Sequence, residues 1–460
     1  MLLLAYEERH VPSRPPFPPR GLPVPSGRLS RLARFGGMAG GVAGGVLMEG
    51  ARRLAQGKRP RLGDLLLTPG NVSKVTNRLA EMRGAAMKVG QLLSMDAGDV
   101  LPAELAEILG RLRADAEPMP KAQVQAVLDR QWGRGWEKRF DYFSFRPLAA
   151  ASIGQVHRAQ TTDGRDLAVK VQYPGVRQSI DSDVDNVATL LRIVNIVPPG
   201  LDVAPLLAEG KRQLHEEADY EREGRYLRRF GELLVEDPAF IVPAMHDDLT
   251  TPDVLAMSFV KSRPIEELGQ APQEERDRIA TRLIDLAFRE LFRFHLMQTD
   301  PNLANYRYEP ESGKIVLLDF GATRAFSPEL GQLYRRLTEA AIRGDAAGAE
   351  AEMTAIGYFD GATAPDIREA VISMFMMGTE GLRTGGIYDF TDTAMLDELR
   401  TRAETLAADR AVLPLPPIDA LFLQRKFGGL YLLARRLRAR VDVGTLIAGL
   451  DENAPGGIRR

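Results

Sequence analysis

The hydrophobic rhythm of the chain changes several times, and each change marks a segment. Residues 1–28 show little apolar periodicity and carry Pro12, Pro15, Pro16, Pro18, Pro19, Pro23 and Pro25, the composition of a disordered arm. The apolar start, Met1–Leu4, is too short for a secretory signal. Phe35–Met48 then runs without a charge, with Gly36, Gly40 and Gly44 on one four-residue repeat and Gly37, Gly41 and Gly45 on another. On a helix each set forms a side that a second helix can approach closely. The run falls short of the roughly 20 apolar residues that a spanning helix needs. Two readings stand: a Gly-rich loop or packed helix, or a short membrane-dipping or dimerising helix whose flanking arginines bind anionic lipid.

From about residue 72 the steps become helical, through Val75, Leu79, Met82, Ala86 and Val89. Within that run Lys88 and Gln91 share a face, and Gly90 permits a close backbone approach. The pattern turns to strands near Arg146. Ala149–Ala159 and Leu167–Gln172 flank the turn Thr162-Asp163-Gly164-Arg165, a hairpin. Lys170 sits between apolar neighbours on the second strand and so points into something that needs a cation. Ile180, Val184, Val187, Leu190 and Leu191 predict an extra helix before the acid-rich segment Leu206–Phe230. A long amphipathic helix is expected over Arg276–Leu296 and a buried strand over Lys314–Leu318. Only helices follow: Leu330–Ile342, Ile367–Met377, Leu396–Leu406 and Ile418–Leu437.

The composition belongs to a globular chain, with 44% hydrophobic and 27% charged residues among 460, room for two or three domains or one large bilobal enzyme. A net charge of −2 gives no chain-wide basic field, so nucleic acid is not an expected partner. Cysteine is absent, which removes disulfides, thiolate zinc sites and cysteine nucleophiles and fits a reducing compartment. Ten of the 60 basic residues are lysines, so each lysine is informative. His157, His215, His246 and His295 show no metal spacing and read as structural or surface residues.

Candidate chemistry lies in five places. Ala149-x-Ala151-x-x-Gly154-x-Val156 falls where protein kinases carry G-x-G-x-x-G-x-V, with alanines at the first two glycine positions. Their Cβ atoms restrict how closely the backbone amides fold over phosphates. Lys170 follows at the remove of the kinase strand lysine. Asp300, then Asn305, then Asp319-Phe320-Gly321 after one hairpin, fall on the marks of the kinase catalytic loop and metal-binding turn. A lone D-F-G is close to chance, whereas these anchors in order behind a strand lysine are not. Ser327-Pro328-Glu329 begins a new helix almost at once, so the loop that cradles a peptide substrate is nearly missing.

Together Lys88–Gln91, Ala149–Val156, Lys170–Val176, Glu217–Tyr220, Gln298–Asn305 and Leu318–Arg324 resemble the ABC1/UbiB atypical kinase family, and most nearly its coenzyme Q branch (the COQ8/ADCK3 type). The resemblance covers residues 30–440. It implies an α+β, protein-kinase-like bilobal fold with an N-terminal helical extension packed over the active site. The expected division is an arm 1–28, a helical extension 29–145, a smaller lobe 146–262 with a helical insertion, and a helical larger lobe 263–460. It also implies ATP and Mg²⁺ as cofactors and a role supporting ubiquinone biosynthesis.

Residue roles follow from the same resemblance. Lys170 would bridge the α- and β-phosphates, with Glu223 as its partner and Ala149, Ala151, Ser152, Gly154 and Val156 around the nucleotide. Asn305 and Asp319 would hold Mg²⁺, and Asp300 would orient or deprotonate the acceptor. Glu217 and Asp219 would pair with Lys88, Gly90 and Gln91 in a gating lid. Helical spacing leaves open which carboxylate faces which lysine. Ile372, Met374, Phe375, Met376 and Met377 read either as core packing or as a surface for lipid or quinone precursors. A homodimer through 35–48 and a cytoplasmic location, peripheral at the inner face of the membrane, complete the expectations. Two functions remain in view: an ATP-dependent atypical kinase or ATPase, and a nucleotide-gated pseudokinase scaffold.

Overall fold

A computed structural model describes residues 118–193, 204–408 and 416–449. The arm 1–28, the Gly-rich segment 35–48 and the motif Lys88–Gln91 lie outside the described residues.

Helix α1 (Lys121–Trp132) is followed by strands β1 (Phe140–Phe143), β2 (Ala149–Ala150), β3 (Gly154–Thr161) and β4 (Asp166–Gln172). Helices α2 (Val176–Ile193), α3 (Ala204–Glu217) and α4 (Tyr220–Leu233) come next, then strands β5 (Phe240–Ile241) and β6 (Val254–Ser258). An antiparallel sheet runs β1-β3-β4-β6, with β2 folded back onto β3. The hairpin turn between β3 and β4 needs Gly164, whose φ of 89° lies in the left-handed region.

Alternation along β4 decides which way its lysine points. Leu167, Val169 and Val171 face one side and pack with Val124, Val127 and Leu128 of α1 and with Trp136 and Phe140. Lys170 and Gln172 therefore face the other side, toward α4. The sheet also reaches back past residue 146, the expected start of the smaller lobe, because β1 pairs with β3 and α1 covers its apolar face.

The second lobe begins with β7 (Arg263–Pro264), α5 (Gln273–Arg289), β8 (Leu296–Gln298), β9 (Tyr306–Glu309), β10 (Lys314–Leu317) and β11 (Thr323–Ala325). Then follow α6 (Pro328–Arg343), α7 (Ala346–Ile356), α8 (Pro365–Gly378), β12 (Tyr388–Asp389), α9 (Ala394–Ala408), α10 (Ile418–Arg436), β13 (Arg440–Val441) and α11 (Val443–Ala448). The helix expected over Arg276–Leu296 ends early. α5 widens into a π-helical turn at Glu290–Phe294, and His295, at a φ of 49°, turns the chain into β8. Ile372, Phe375 and Met376 of the expected soft patch pack against α6 and α7. No helix among the described residues is long and apolar enough to cross a membrane.

One glycine in α10 marks a tight lobe contact. A Cβ on Gly429 would fall well inside van der Waals contact with the side chain of Pro301. Alanine is the better helix former by about 1 kcal/mol, so intrinsic propensity and packing predict opposite signs. Gly429→Ala should lower stability by about 1–3 kcal/mol through overpacking. Urea unfolding of the two proteins checks this, and a gain in stability would show that α10 and Pro301 are not packed this way.

Candidate nucleotide site

Two carboxylates from different elements converge on the ammonium of Lys170. Glu223, one turn into α4, accepts from Nζ at 2.9 and 2.8 Å through its two oxygens. Asp319, at the end of the β9–β10 hairpin, brings Oδ2 to 3.5 Å. Lys170 is 7% exposed and Glu223 1%, while the Asp319 side chain is more open at 37%. Burial alone would lower the Lys170 ammonium, but the charges of Asp319 and Glu223 outweigh it and hold its pKa well above the ordinary value. One cation between two carboxylates leaves an excess negative charge. Burial, with Asp319 nearby, accordingly lifts the Glu223 carboxyl to about 7 against the pull of Lys170.

Local sequence explains how α4 is aimed. The acid-rich segment is two helices, because α3 stops at Glu217 and Asp219 caps α4 by accepting from the Arg222 amide at 2.9 Å. Tyr220, fully buried, lays its ring 5.0 Å under the Lys170 ammonium. Its hydroxyl lies where a Cβ on Gly154 would come within 2.7 Å, so only glycine fits at the start of β3. Phe320 packs on Phe230 of α4 at 4.8 Å between ring centroids, seating the Asp-Phe-Gly turn against the same helix. Asp319 Oδ1 accepts from the Gly321 amide at 2.9 Å.

The catalytic-loop candidates lie beside this turn. β8 pairs with β11, placing Gln298 opposite Thr323, and Leu318 donates its amide to the Asn305 carbonyl at 3.1 Å. Asn305 Nδ2 donates to the Asp300 carboxylate and carbonyl, each at 3.3 Å. Asp300, Asn305 and Asp319 are thus adjacent. The alanine-rich segment is a tight reversal: Ala149 pairs with Val156, Ala151 donates to the Gly154 carbonyl at 2.9 Å, and Val156 stands opposite Lys170. Ser152 Oγ donates to Glu217 Oε2 at 3.1 Å, which ties the loop to the end of α3. Glu217 and Glu223 therefore serve different partners, and Asp219 is a helix cap. Whether Glu217 and Asp219 also meet Lys88, Gly90 and Gln91 lies outside the described residues.

The carboxyl-terminal helices, expected only to complete the lobe, also supply side chains to the site. Arg425 of α10 donates to Asp300 Oδ1 at 2.9 Å. Its neighbour Lys426, 2% exposed, donates to the Gln298 carbonyl at 2.7 Å and the Tyr306 hydroxyl at 3.0 Å, with Glu290 Oε2 at 3.2 Å. A signal for Lys426 was available: it falls on the stripe Leu423, Lys426, Leu430, Leu433, where a lysine has to be buried. Arg425 carried none.

A buried strand lysine held by a helix glutamate, facing an Asp-Phe-Gly turn and an Asp-x-x-x-x-Asn loop, is the site frame of a kinase-like protein. The profile of the ABC1 atypical kinase-like domain matches residues 111–353. "Atypical kinase COQ8, mitochondrial" of Saccharomyces cerevisiae is 37% identical over 426 residues, which span 92% of this chain and 84% of that protein. "Atypical kinase COQ8B, mitochondrial" of Rattus norvegicus is 36% identical over 420 residues, 91% of this chain and 79% of that one. The solved structure of Rv3197 from Mycobacterium tuberculosis, in complex with erythromycin, matches with a TM-score of 0.60 at 27% identity, covering 83% of this chain and 96% of that chain. The chain belongs to the ABC1 atypical kinase-like family, and its α+β kinase-like fold is the expected one.

The buried pair yields a stability prediction. Glu223→Leu leaves the Lys170 ammonium without its bidentate partner, and loss of one member of a buried ion pair costs about 3–5 kcal/mol. Lys170→Met together with Glu223→Leu removes both charges and should recover most of that loss. Denaturant midpoints of the single and paired variants decide it; equal destabilisation by both would mean that the pair is not coupled.

Proposed function

We propose that the protein binds ATP with Mg²⁺ between its lobes and transfers the terminal phosphoryl group to water or a small acceptor, in support of coenzyme Q biosynthesis. The observation that carries this reading is Lys170 held at once by Glu223 and Asp319. A cation so placed, with a partly open carboxylate beside it for a metal, suits a triphosphate. In this reading Lys170 bridges the α- and β-phosphates, and Ala149, Ala151, Ser152, Gly154 and Val156 line the nucleotide.

Hard oxygen donors suit Mg²⁺, which keeps several waters and is shared with phosphates, so two protein ligands suffice. Asp319 offers a partly open carboxylate. The amide nitrogen of Asn305 is committed to Asp300, so the atom Asn305 can offer is its carbonyl oxygen. The residues fit the ion. When bound, Mg²⁺ would offset phosphate charge. Asp300 accepts the proton of the attacking hydroxyl while its oxygen bonds to the γ-phosphorus and the bond to the β–γ bridging oxygen breaks, releasing ADP.

The acceptor is read as small because β11 occupies most of the stretch between Gly321 and Ser327, which caps α6. The scaffold alternative draws on Ala149 and Ala151, which stand at the first two glycine positions of the kinase loop. Similarity to the mitochondrial COQ8 proteins supports the biosynthetic role. The lid of Lys88, Gly90 and Gln91, the dimer through 35–48, the anionic-lipid or quinone-precursor contacts and a peripheral location at the membrane rest on the sequence.

Three measurements test this. ATP with Mg²⁺ should raise the melting temperature by mass action, and Asp319→Asn should abolish the Mg²⁺-dependent part; an unchanged shift would remove Asp319 from the metal site. Ala151→Gly should alter affinity for ATP or ADP, since the lost Cβ admits backbone conformers that alanine forbids. Phosphate release from Mg·ATP by the native protein, absent in Lys170→Met, separates the enzyme from the scaffold.

A further inference from the structure

Resting on the reading that Asp300 receives the acceptor proton, we infer that Arg425 of α10 is a positioning residue for the reaction: it pins one oxygen of Asp300 and offsets its charge beside the triphosphate. The loop from Gln298 to Asn305 lacks the His-Arg that precedes the catalytic Asp in the kinase pattern; Gln298 and Thr299 stand there. α10 grips the loop at three points instead. Lys426 holds the Gln298 carbonyl from beneath, Gly429 lets Pro301 pack onto the helix, and Arg425 takes Asp300 itself. Residues 425 and 429 are one turn apart on one face, so a single rigid element sets the places of Asp300 and Pro301.

The chemistry needs such a grip. A carboxylate next to a γ-phosphate is repelled by it, and a proton acceptor a few tenths of an ångström out of place loses much of its effect. Arg425 Nη2 fixes Oδ1 at 2.9 Å and Asn305 Nδ2 fixes Oδ2 at 3.3 Å, so the carboxylate cannot rotate freely. The Arg425 side chain is 11% exposed and that of Asp300 21%, a partly desolvated charge-assisted bond and not a solvated surface pair.

The test is phosphate release from Mg·ATP by the full chain and its variants R425Q, R425K, D300N and D300N/R425Q, with KM for Mg·ATP and melting temperature for each. R425Q should lower kcat tenfold or more with KM within twofold of native, and R425K should recover part of the loss because it keeps the charge without the fork. In the D300N background R425Q should change kcat by less than twofold, since the group it positions has gone. If R425Q alone proves unstable, the pair with no unmatched charge should regain melting temperature. Native kcat in R425Q, losses that multiply in the pair, or, where R425Q is unstable, a pair no more stable than it would each overturn the inference. Native kcat in D300N would instead overturn the proton-acceptor role of Asp300, a separate failure visible without any change at residue 425.

Discussion

An ammonium buried on a sheet strand must be neutralised by charge brought from elsewhere, and that requirement at Lys170 governs the arrangement around it. Taking the group out of water would cost several kcal/mol if it stayed unpaired. β4 cannot supply the counter-charge, because its other residues on that face are Ala168, Gln172 and, at the far end of the strand, Asp166, which is taken by Arg158. Glu223 has to come from α4, which places that helix against the sheet, and the cap at Asp219 sets where α4 can start. The close approach then needs Gly154, and Phe320 must lie on Phe230 for Asp319 to reach the same ammonium.

The second lobe repeats this physics. Lys426 is as deeply buried as Lys170, and its ion-pair partner Glu290 comes from a helix that changes pitch to turn it inward. Burial opposes the Lys426 charge, but Glu290 and Tyr306 raise its pKa above the ordinary lysine value. The π-helical turn is thus part of the support of the loop above it. Lys170 anchors the side of the cleft that would hold phosphates, and Lys426 anchors the loop that would face the acceptor.

Much of the fold was legible in the chain, for reasons that can be named. A short strand with apolar neighbours on both sides of one lysine placed β4, and the short hairpin between Asn305 and Asp319 tied the second lobe's chemistry together within twenty residues of sequence. Contacts between remote segments were not legible. Arg425 lies over a hundred residues from Asp300, and an arginine on a helix is by default a solvated one. The break between α3 and α4 was hidden because Glu217-Ala218-Asp219 has no Gly or Pro. Asp219 stops one helix and starts the next by a cap, which only its bond to Arg222 reveals.

The segment after Asp-Phe-Gly shows how the two lobes become one device. Arg222 of α4 donates to the carbonyls of Gly321 at 2.8 Å and Thr323 at 2.6 Å. Arg324, two residues past Ala322, reaches back to Glu209 of α3 at 3.0 Å and across to Asp419 of α10 at 2.6 Å. Because β11 also pairs with β8, this stretch is bonded to the smaller lobe, to the strand that leads into the Asp300–Asn305 loop and to α10 together. A shift of α4 that loosened Glu223 from Lys170 would pull on Gly321 and Thr323 through Arg222, and so on Asp319. Charge at Lys170 and geometry at Asp300 are therefore mechanically joined, and the helix that carries Arg425 and Lys426 is the far end of the same linkage.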